Sequence, residues 1–475
     1  MVFSSNFFLL MFLPAFLLAY YLTPLRRRNK TALLGSAFFY AWGAPLFIFV
    51  LVASATADHL IGQWMEKAND ARQKKLWLVL ALVINVGVLA YFKYANFFVD
   101  NVNQILMNAG VGRLKWAAVV LPIGISFFTF QKISYLVDVY RGETKAFKNI
   151  FNYYLFVVLF PQLIAGPIVR YKEIADQIRD RVSTENLDNR LQGFFRFCVG
   201  LAKKVFIANV MGQQADIIFS LGGENLNSPV AWLGLLAYSF QIYFDFSGYS
   251  DMAIGLGRMM GFTFPENFNF PYISRSITEF WRRWHITLSN WMKDYLYIPL
   301  GGNRGGSGRT YLNLWVVFLI SGLWHGASWN FVIWGAYHGL FLVLERLFLG
   351  RFLKKIGGFA ATIFTFVVAI LGWVWFRAET LADATTYFAA LFSFEGSTLT
   401  IPSPGPKFMV MLVLAVLFSF IGTAKFSHKM VDFYARAEAT NGLALVRFVL
   451  SIVLLFLCVG EIGATGFNPF IYFRF

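Results

Sequence analysis

Apolar stretches long enough to cross a bilayer recur along this chain, and short basic runs separate them. A membrane-spanning helix needs about twenty apolar residues, and positively charged loops stay on the cytoplasmic side. Residues 3–22 (FSSNFFLLMFLPAFLLAYYL) form the first such stretch, and RRRNK (26–30) follows it. No positive run precedes this segment and no small-residue cleavage site ends it. The pattern therefore predicts an uncleaved first helix with its amino terminus outside. Residues 31–65 are apolar between two basic ends, the second being KANDARQKK (67–75). Two cytoplasmic ends require an even number of crossings, and Gly43-Ala44-Pro45 supplies the break between two short helices.

Residues 76–94 then cross outward, 95–116 face outside, and 117–139 return to the basic loop RGETKAFKN (141–149). The next stretch, FNYYLFVVLFPQLIAGPIV (151–169), contains Pro161 and Gly166-Pro167. It predicts a re-entrant hairpin, because broken backbone at membrane depth normally lines a cavity. Further crossings are expected at 205–221 and 230–250, as a close pair within 311–345, and near 358–377, 406–424 and 443–462. The sum is an all-α, polytopic membrane protein with about eleven or twelve transmembrane helices. No internal repeat or low-complexity tract is visible, and the longest polar connections are 170–190 and 262–310.

Composition agrees: 58% of the 475 residues are hydrophobic and only 14% charged, whereas a soluble domain is about a quarter charged. The net charge of +16 belongs to basic runs flanking apolar segments, which points to anionic lipid rather than nucleic acid. Cys198 and Cys458 form no spaced pair and imply neither a disulfide framework nor a zinc site.

Chemistry concentrates in one region. His325 lies in SGLWHGASWNFVIWGAYHG (321–339), with His338 in the same apolar run and His285 upstream in TEFWRRWHITLSNWMKDYLYIPLGGNRGG (278–306). An ionisable group inside the membrane is costly and points to function. Any one of these imidazoles alone fits a hydrogen-bonding role equally well; the cluster favours function. Gly322, Gly326 and Ala327 around His325 are small and leave room for a substrate. No phosphate-binding loop, dinucleotide fingerprint, nucleophile elbow or metal-binding histidine pair occurs. What remains is an imidazole able to take a proton from a hydroxyl near neutral pH, which suits direct group transfer onto an alcohol.

Residues 277–298 read as a helix lying in the membrane interface, with tryptophans at headgroup level and charges in water. GGNRGGSGR (301–309) then offers backbone N–H groups beside Arg304 and Arg309, a combination suited to phosphates, though it reads equally as a positive cytoplasmic loop. Asp245 and Asp251, in YFDFSGYSDMAIG (243–255), suit either a proton path or partners for arginine.

The stretches YFDFSGYSDMAIGLG (243–257), PENFNFPYISRSITEFWRRWHITLSNWMKDYLYIPLGGNRGG (265–306) and SGLWHGASWNFVIWGAYHG (321–339) resemble the membrane-bound O-acyltransferase family, in particular its bacterial alginate O-acetyltransferase branch. The likeness extends over the whole chain, from MVFSSNFFLLMFLP to FNPFIYFRF. It implies a single domain over 1–475 with helices around a central tunnel, 262–310 as a cytoplasmic-side interfacial block and 311–345 as the helices of the catalytic histidine. It also implies His325 as the invariant histidine and His285 as the second polar position, orienting His325 or stabilising an oxyanion. The implied donor is acetyl-coenzyme A, a substrate rather than a bound cofactor, with Lys293, Arg304 and Arg309 as candidates for its phosphates. Extracytoplasmic acetyltransferase partners would pass the acetyl group to a polysaccharide outside the bacterial inner membrane, such as alginate, with peptidoglycan and cellulose as the alternative acceptors. The rival reading is a secondary transporter or flippase of lipid-linked sugar, using Asp245, Asp251 and the histidines as a proton relay. Against it, the chain lacks the internal repeat that many transporters show.

The sidedness is directly testable. With Cys198 and Cys458 replaced, single cysteines at Asp70 and Asn103 are treated with an impermeant thiol reagent on intact spheroplasts. Position 103 labels and position 70 does not; the opposite result inverts the topology.

Overall fold

The computed structural model describes residues 1–221, 226–393, 404–435, 440–466 and 471. Regular structure among them is helical, with one isolated antiparallel bridge between Phe268 and Trp284. The chain divides into two compact units, Met1–Asn186 with Met260–Phe264, and Leu187–Met259 with Pro265–Phe475.

The first unit holds α1 (Leu13–Leu22), α2 (Arg28–Gly43), α3 (Phe47–Lys67), α4 (Ala71–Asn108), α5 (Ile125–Arg141), α6 (Ile150–Val158), the single turn α7 (Phe160–Leu163) and α8 (Tyr171–Arg179). The break between α2 and α3 falls at Gly43-Ala44-Pro45, as the pattern predicts. Likewise the 151–169 stretch is interrupted, α6 ending one residue before Phe160-Pro161. Helix α4 departs from expectation. It runs for 38 residues, through positions 95–108 assigned to an outer loop, because no glycine or proline stands between Gly87 and Gly110 to stop it. Asn96 then ties the returning strap down, donating to the Val119 carbonyl at 2.9 Å and accepting from the Trp116 indole at 2.9 Å. Helix α5 starts only at Ile125, later than position 117, since Pro122 and a left-handed Gly124 (φ 78°) precede it.

Buried polar contacts fasten this unit. Asp58 of α3 accepts from Asn85 of α4 at 2.7 Å and pairs with Lys132 of α5 at 3.2 Å. Arg28, within the basic run 26–30, is no loop cation; it is buried and paired with Glu185, which also accepts from the Tyr20 hydroxyl at 2.8 Å.

In the second unit α9 (Leu187–Ala202) continues through a π-helical stretch, Lys203–Ala208, into α10 (Asn209–Phe219). Then come α11 (Ser228–Met259), α12 (Ile277–Arg283), α13 (Ile286–Met292), α14 (Gly306–His325), α15 (Trp329–Leu344), α16 (Gly350–Lys355), α17 (Gly358–Arg377), α18 (Leu381–Phe392), α19 (Pro406–Phe420), α20 (Ser427–Ala435) and α21 (Asn441–Thr465). Helices α9 and α11 meet backbone to backbone. A methyl added at Gly193 would lie 2.6 Å from the Gly255 carbonyl oxygen, and one at Gly200 would lie 2.6 Å from that of Gly248. Small residues that let backbones touch are how membrane helices gain van der Waals contact.

Between these two contacts Arg196 is buried and bonds Asp251 at 2.9 Å, while Lys203 reaches the same carboxylate at 2.6 Å. Asp245 pairs with Lys204 at 2.7 Å and accepts the Ile471 N–H at 2.9 Å. Both carboxylates are thus anchored in ion pairs.

Six helical runs among the described residues are long and apolar enough to span a membrane: Phe47–Lys67, Ala71–Asn108, Trp329–Lys355, Gly358–Arg377, Pro406–Thr423 and Asn441–Thr465. Phe8–Leu22 is apolar but shorter. The protein is therefore a polytopic helical membrane protein. Other segments counted among the about eleven or twelve expected crossings do form helices, but of mixed polarity. Helix α11 is 32 residues long and buries Gln241, Asp245, Ser247, Ser250 and Asp251 against protein. A helix faced by protein need not be apolar all round.

Gly200→Val tests the α9–α11 contact. Overpacking at a backbone contact costs about 1–3 kcal/mol. The variant is expected to melt earlier in detergent, while Gly87→Ala, where a methyl meets nothing within 4 Å, melts no earlier than the parent.

Candidate active site

The block 277–298 is not one interfacial helix. It breaks after Arg283 into α12 and α13, with Trp284 extended and His285 left-handed at φ 46°. The reason lies in residues 267–269, which run antiparallel alongside: Asn269 N–H donates to the Arg283 carbonyl at 2.9 Å and Ile286 N–H to the Asn267 carbonyl at 3.0 Å. A left-handed histidine carries strain of order 1–3 kcal/mol and persists only where its surroundings fix it. The start of α12 is fixed too. Ser276 accepts the Glu279 N–H at 3.0 Å, and the Glu345 carboxylate takes the N–H groups of Ile277 and Thr278. Nor are the block's tryptophans exposed. Trp281, Trp284 and Trp291 are buried, and Trp284 packs on Phe280 and Trp373 at 5.6 and 4.8 Å. The rings of Trp281 and Trp284 belong to the core of the unit, where they meet Trp334 of α15, and Tyr243 of α11 with Trp373 of α17, respectively.

His285 is completely buried. Its Nδ1 lies 3.0 Å from Asn267 Oδ1, and its ring stands edge-on to Phe246 at 4.7 Å. Burial pushes this imidazole well below its ordinary pKa and keeps it neutral. His325 is the last residue of α14 and is also buried. Trp324, Trp334 and Phe376 surround its ring at 4.9, 5.0 and 5.3 Å, and the His285 ring is 6.4 Å away. Trp334 also touches His338 at 5.2 Å. The three histidines that cluster in sequence thus cluster in space, two facing each other and the third behind an indole.

The glycines beside His325 do not leave space for a substrate. A methyl at Gly322 would strike the Phe331 carbonyl, and one at Gly326 the Phe331 ring. They serve close packing of α14 on α15, and the enclosure is walled by aromatic rings. Several buried polar atoms of this enclosure have no hydrogen-bond partner among the described residues: His285 Nε2, both His338 nitrogens, and the indole N–H groups of Trp281 and Trp334. Buried unmatched groups are costly unless something bonds them, and a bound substrate is such a partner.

The predicted phosphate ligands lie elsewhere. Lys293 is exposed and 3.8 Å from Asp294. Arg304 and Arg309 are exposed, and Arg309 belongs to the first turns of α14 rather than to the glycine loop. That loop and His325 occupy opposite ends of a helix of 20 residues, about 28 Å at 1.5 Å per residue. The residues that sequence reading missed are Asn267, Phe246, Trp334 and Phe376. Asn267 lies inside the quoted PENFNFPY stretch, but nothing in one sequence marks it as the partner of a histidine 18 positions away.

A neutral His285 imidazole facing His325 among aromatic rings suits proton transfer at a hydroxyl without a protein nucleophile. A family model of the membrane-bound O-acyltransferases covers residues 146–376, which include all three histidines. The chain belongs to that family and is a membrane acyltransferase. It is 44% identical to a probable alginate O-acetylase of Azotobacter vinelandii over the full length of both proteins. A probable alginate O-acetylase of Pseudomonas aeruginosa is 46% identical over 93% of this chain and 85% of that protein. A peptidoglycan O-acetyltransferase of Helicobacter pylori is 38% identical over 84% of this chain and 81% of its own length.

Proposed function

We propose that this protein is a bacterial inner-membrane O-acetyltransferase that takes acetyl groups from cytoplasmic acetyl-coenzyme A and delivers them outward for O-acetylation of an exopolysaccharide, alginate in the first instance. The observation that carries the reading is the facing pair His285 and His325, 6.4 Å apart and walled by aromatic rings. The names of the two alginate O-acetylases support acetyl as the group and alginate as the polymer. Peptidoglycan is the second reading, on the name of the Helicobacter relative. The ion-paired state of Asp245 and Asp251 speaks against a proton relay through them.

In this mechanism His325 removes the proton of an acceptor hydroxyl. The oxygen attacks the thioester carbonyl, the carbon–sulfur bond breaks, and His325 returns the proton to the leaving thiolate. His285 supports His325 across the enclosure. Extracytoplasmic acetyltransferase partners receive the acetyl group and esterify the polymer. Both compact units act as one acyltransferase domain over 1–475, and coenzyme A is a substrate rather than a resident cofactor. Lys293, Arg304 and Arg309 hold its phosphates at one end of α14, so the donor must lie extended along the helix to bring its thioester to His325.

Purified protein in vesicles is given labelled acetyl-coenzyme A together with alginate or peptidoglycan fragments and the extracytoplasmic partner. Free coenzyme A and acetylated alginate are expected. His325→Ala lowers turnover by about 10²–10⁴-fold without loss of folded protein. No thioester consumption by the parent, or full turnover by a folded His325→Ala, removes the proposal.

The arginines are tested separately. Changing Arg304 and Arg309 together to glutamine raises KM for acetyl-coenzyme A and leaves kcat nearly unchanged, as expected when binding is lost equally from ground and transition states. An unaltered KM makes the loop an ordinary cytoplasmic one.

A further inference from the structure

The side chain of Asn267 is fully buried and commits both of its polar atoms. Its Nδ2 donates to Ser250 Oγ of α11 at 3.0 Å. Its Oδ1 accepts the Thr287 hydroxyl at 2.8 Å and the Thr287 backbone N–H at 3.3 Å, and lies 3.0 Å from His285 Nδ1. A backbone N–H can only donate, so the oxygen must face it and the amide cannot be turned the other way. An amide oxygen can only accept. The His285 Nδ1 beside it must then carry a proton, and a neutral imidazole has only one. The proton missing from the ring is the one on Nε2, the atom left without a hydrogen-bond partner among the described residues.

We infer that Asn267 is a positioning residue that fixes His285 as the Nδ1–H tautomer, so that its Nε2 offers a hydrogen-bond acceptor to the site. This rests on the proposed role of the His285–His325 pair and narrows it. Of the two roles open to His285, orienting His325 or stabilising an oxyanion, the tautomer permits the first. An oxyanion needs a donor, and a bare Nε2 has none to give. The left-handed backbone at His285 serves the same end. It turns the ring back toward residue 267, and the antiparallel pairing of 267–269 with 283–286 holds Asn267 in place. Ser250 completes the chain and ties the amide to α11.

The test reads the tautomer on the full-length protein in lipid vesicles, uniformly labelled with ¹⁵N-histidine and free of substrate, by solid-state NMR. The His285 signals are those lost in His285→Asn. A protonated Nδ1 and a bare Nε2 are expected in the parent. Asn267→Ala should mix or reverse the tautomers, and Asn267→Asp, whose carboxylate also accepts, should keep the parent pattern. A second readout is kinetic. Asn267→Ala is expected to lower kcat about a hundredfold, the scale of loss for a misaimed catalytic group, with KM for acetyl-coenzyme A unchanged, and Asn267→Asp to restore most of it. A protonated Nε2 in the parent, or a folded Asn267→Ala with parental kcat, overturns the inference. The spectrum needs no donor, so it decides the matter even if acetyl-coenzyme A proves not to be the substrate.

Discussion

Helices α9 and α11 touch through their backbones at two places seven residues apart, Gly193 against Gly255 and Gly200 against Gly248. In a membrane, apolar burial offers little to hold helices together, because lipid tails are as apolar as leucine. Contact area and buried polar pairing must do it instead. The glycines supply the first, and the second is placed between them, where Arg196 meets Asp251. Once α11 is fixed in this way, Ser250 is fixed with it, and through Ser250 the Asn267 amide that holds His285.

A second use of the same device joins α14 to α15. Gly322 sits against the Phe331 carbonyl and Gly335 against that of Phe318. His325 ends one helix of this pair and Trp334 lies on the other, so the close approach brings an indole against the His325 imidazole at 5.0 Å. The site is therefore set by backbone contacts, and its walls are rings with few polar atoms. Low polarity strengthens every remaining electrostatic interaction inside it.

Much of this was legible in the sequence. Basic runs and proline-glycine breaks marked the α2–α3 turn and the interrupted stretch at 151–169, because charge asymmetry and backbone breakers are local signals. His325 and His338 stood out through the cost of placing them in apolar sequence, and His285 through its closeness to them in the chain; the three do meet in space. Less legible was anything that depends on what a helix faces. The block 277–298 has an amphipathic composition, yet its tryptophans are core residues, since pairing by 267–269 breaks the helix and turns it inward. Gly322 and Gly326 looked like open space and proved to be filled. A glycine beside a functional residue reads the same whether a substrate or a neighbouring backbone occupies the vacancy. Asp245 and Asp251 were ambiguous for a similar reason: their partners Lys204, Arg196 and Lys203 lie on another helix.

Helix α14 joins the glycine loop directly to His325 with no intervening joint. Each residue of an α-helix adds 1.5 Å and a turn of about 100°. A single insertion or deletion within Gly306–His325 would therefore swing the imidazole about a quarter of the way round the axis, away from Trp334 and Phe376. Residue identity along the exposed side of this segment can drift freely, but its residue count cannot. The irregular strap at 111–124 has no such gauge to keep. Homologues of this chain should differ in length at the strap and hold constant length through α14.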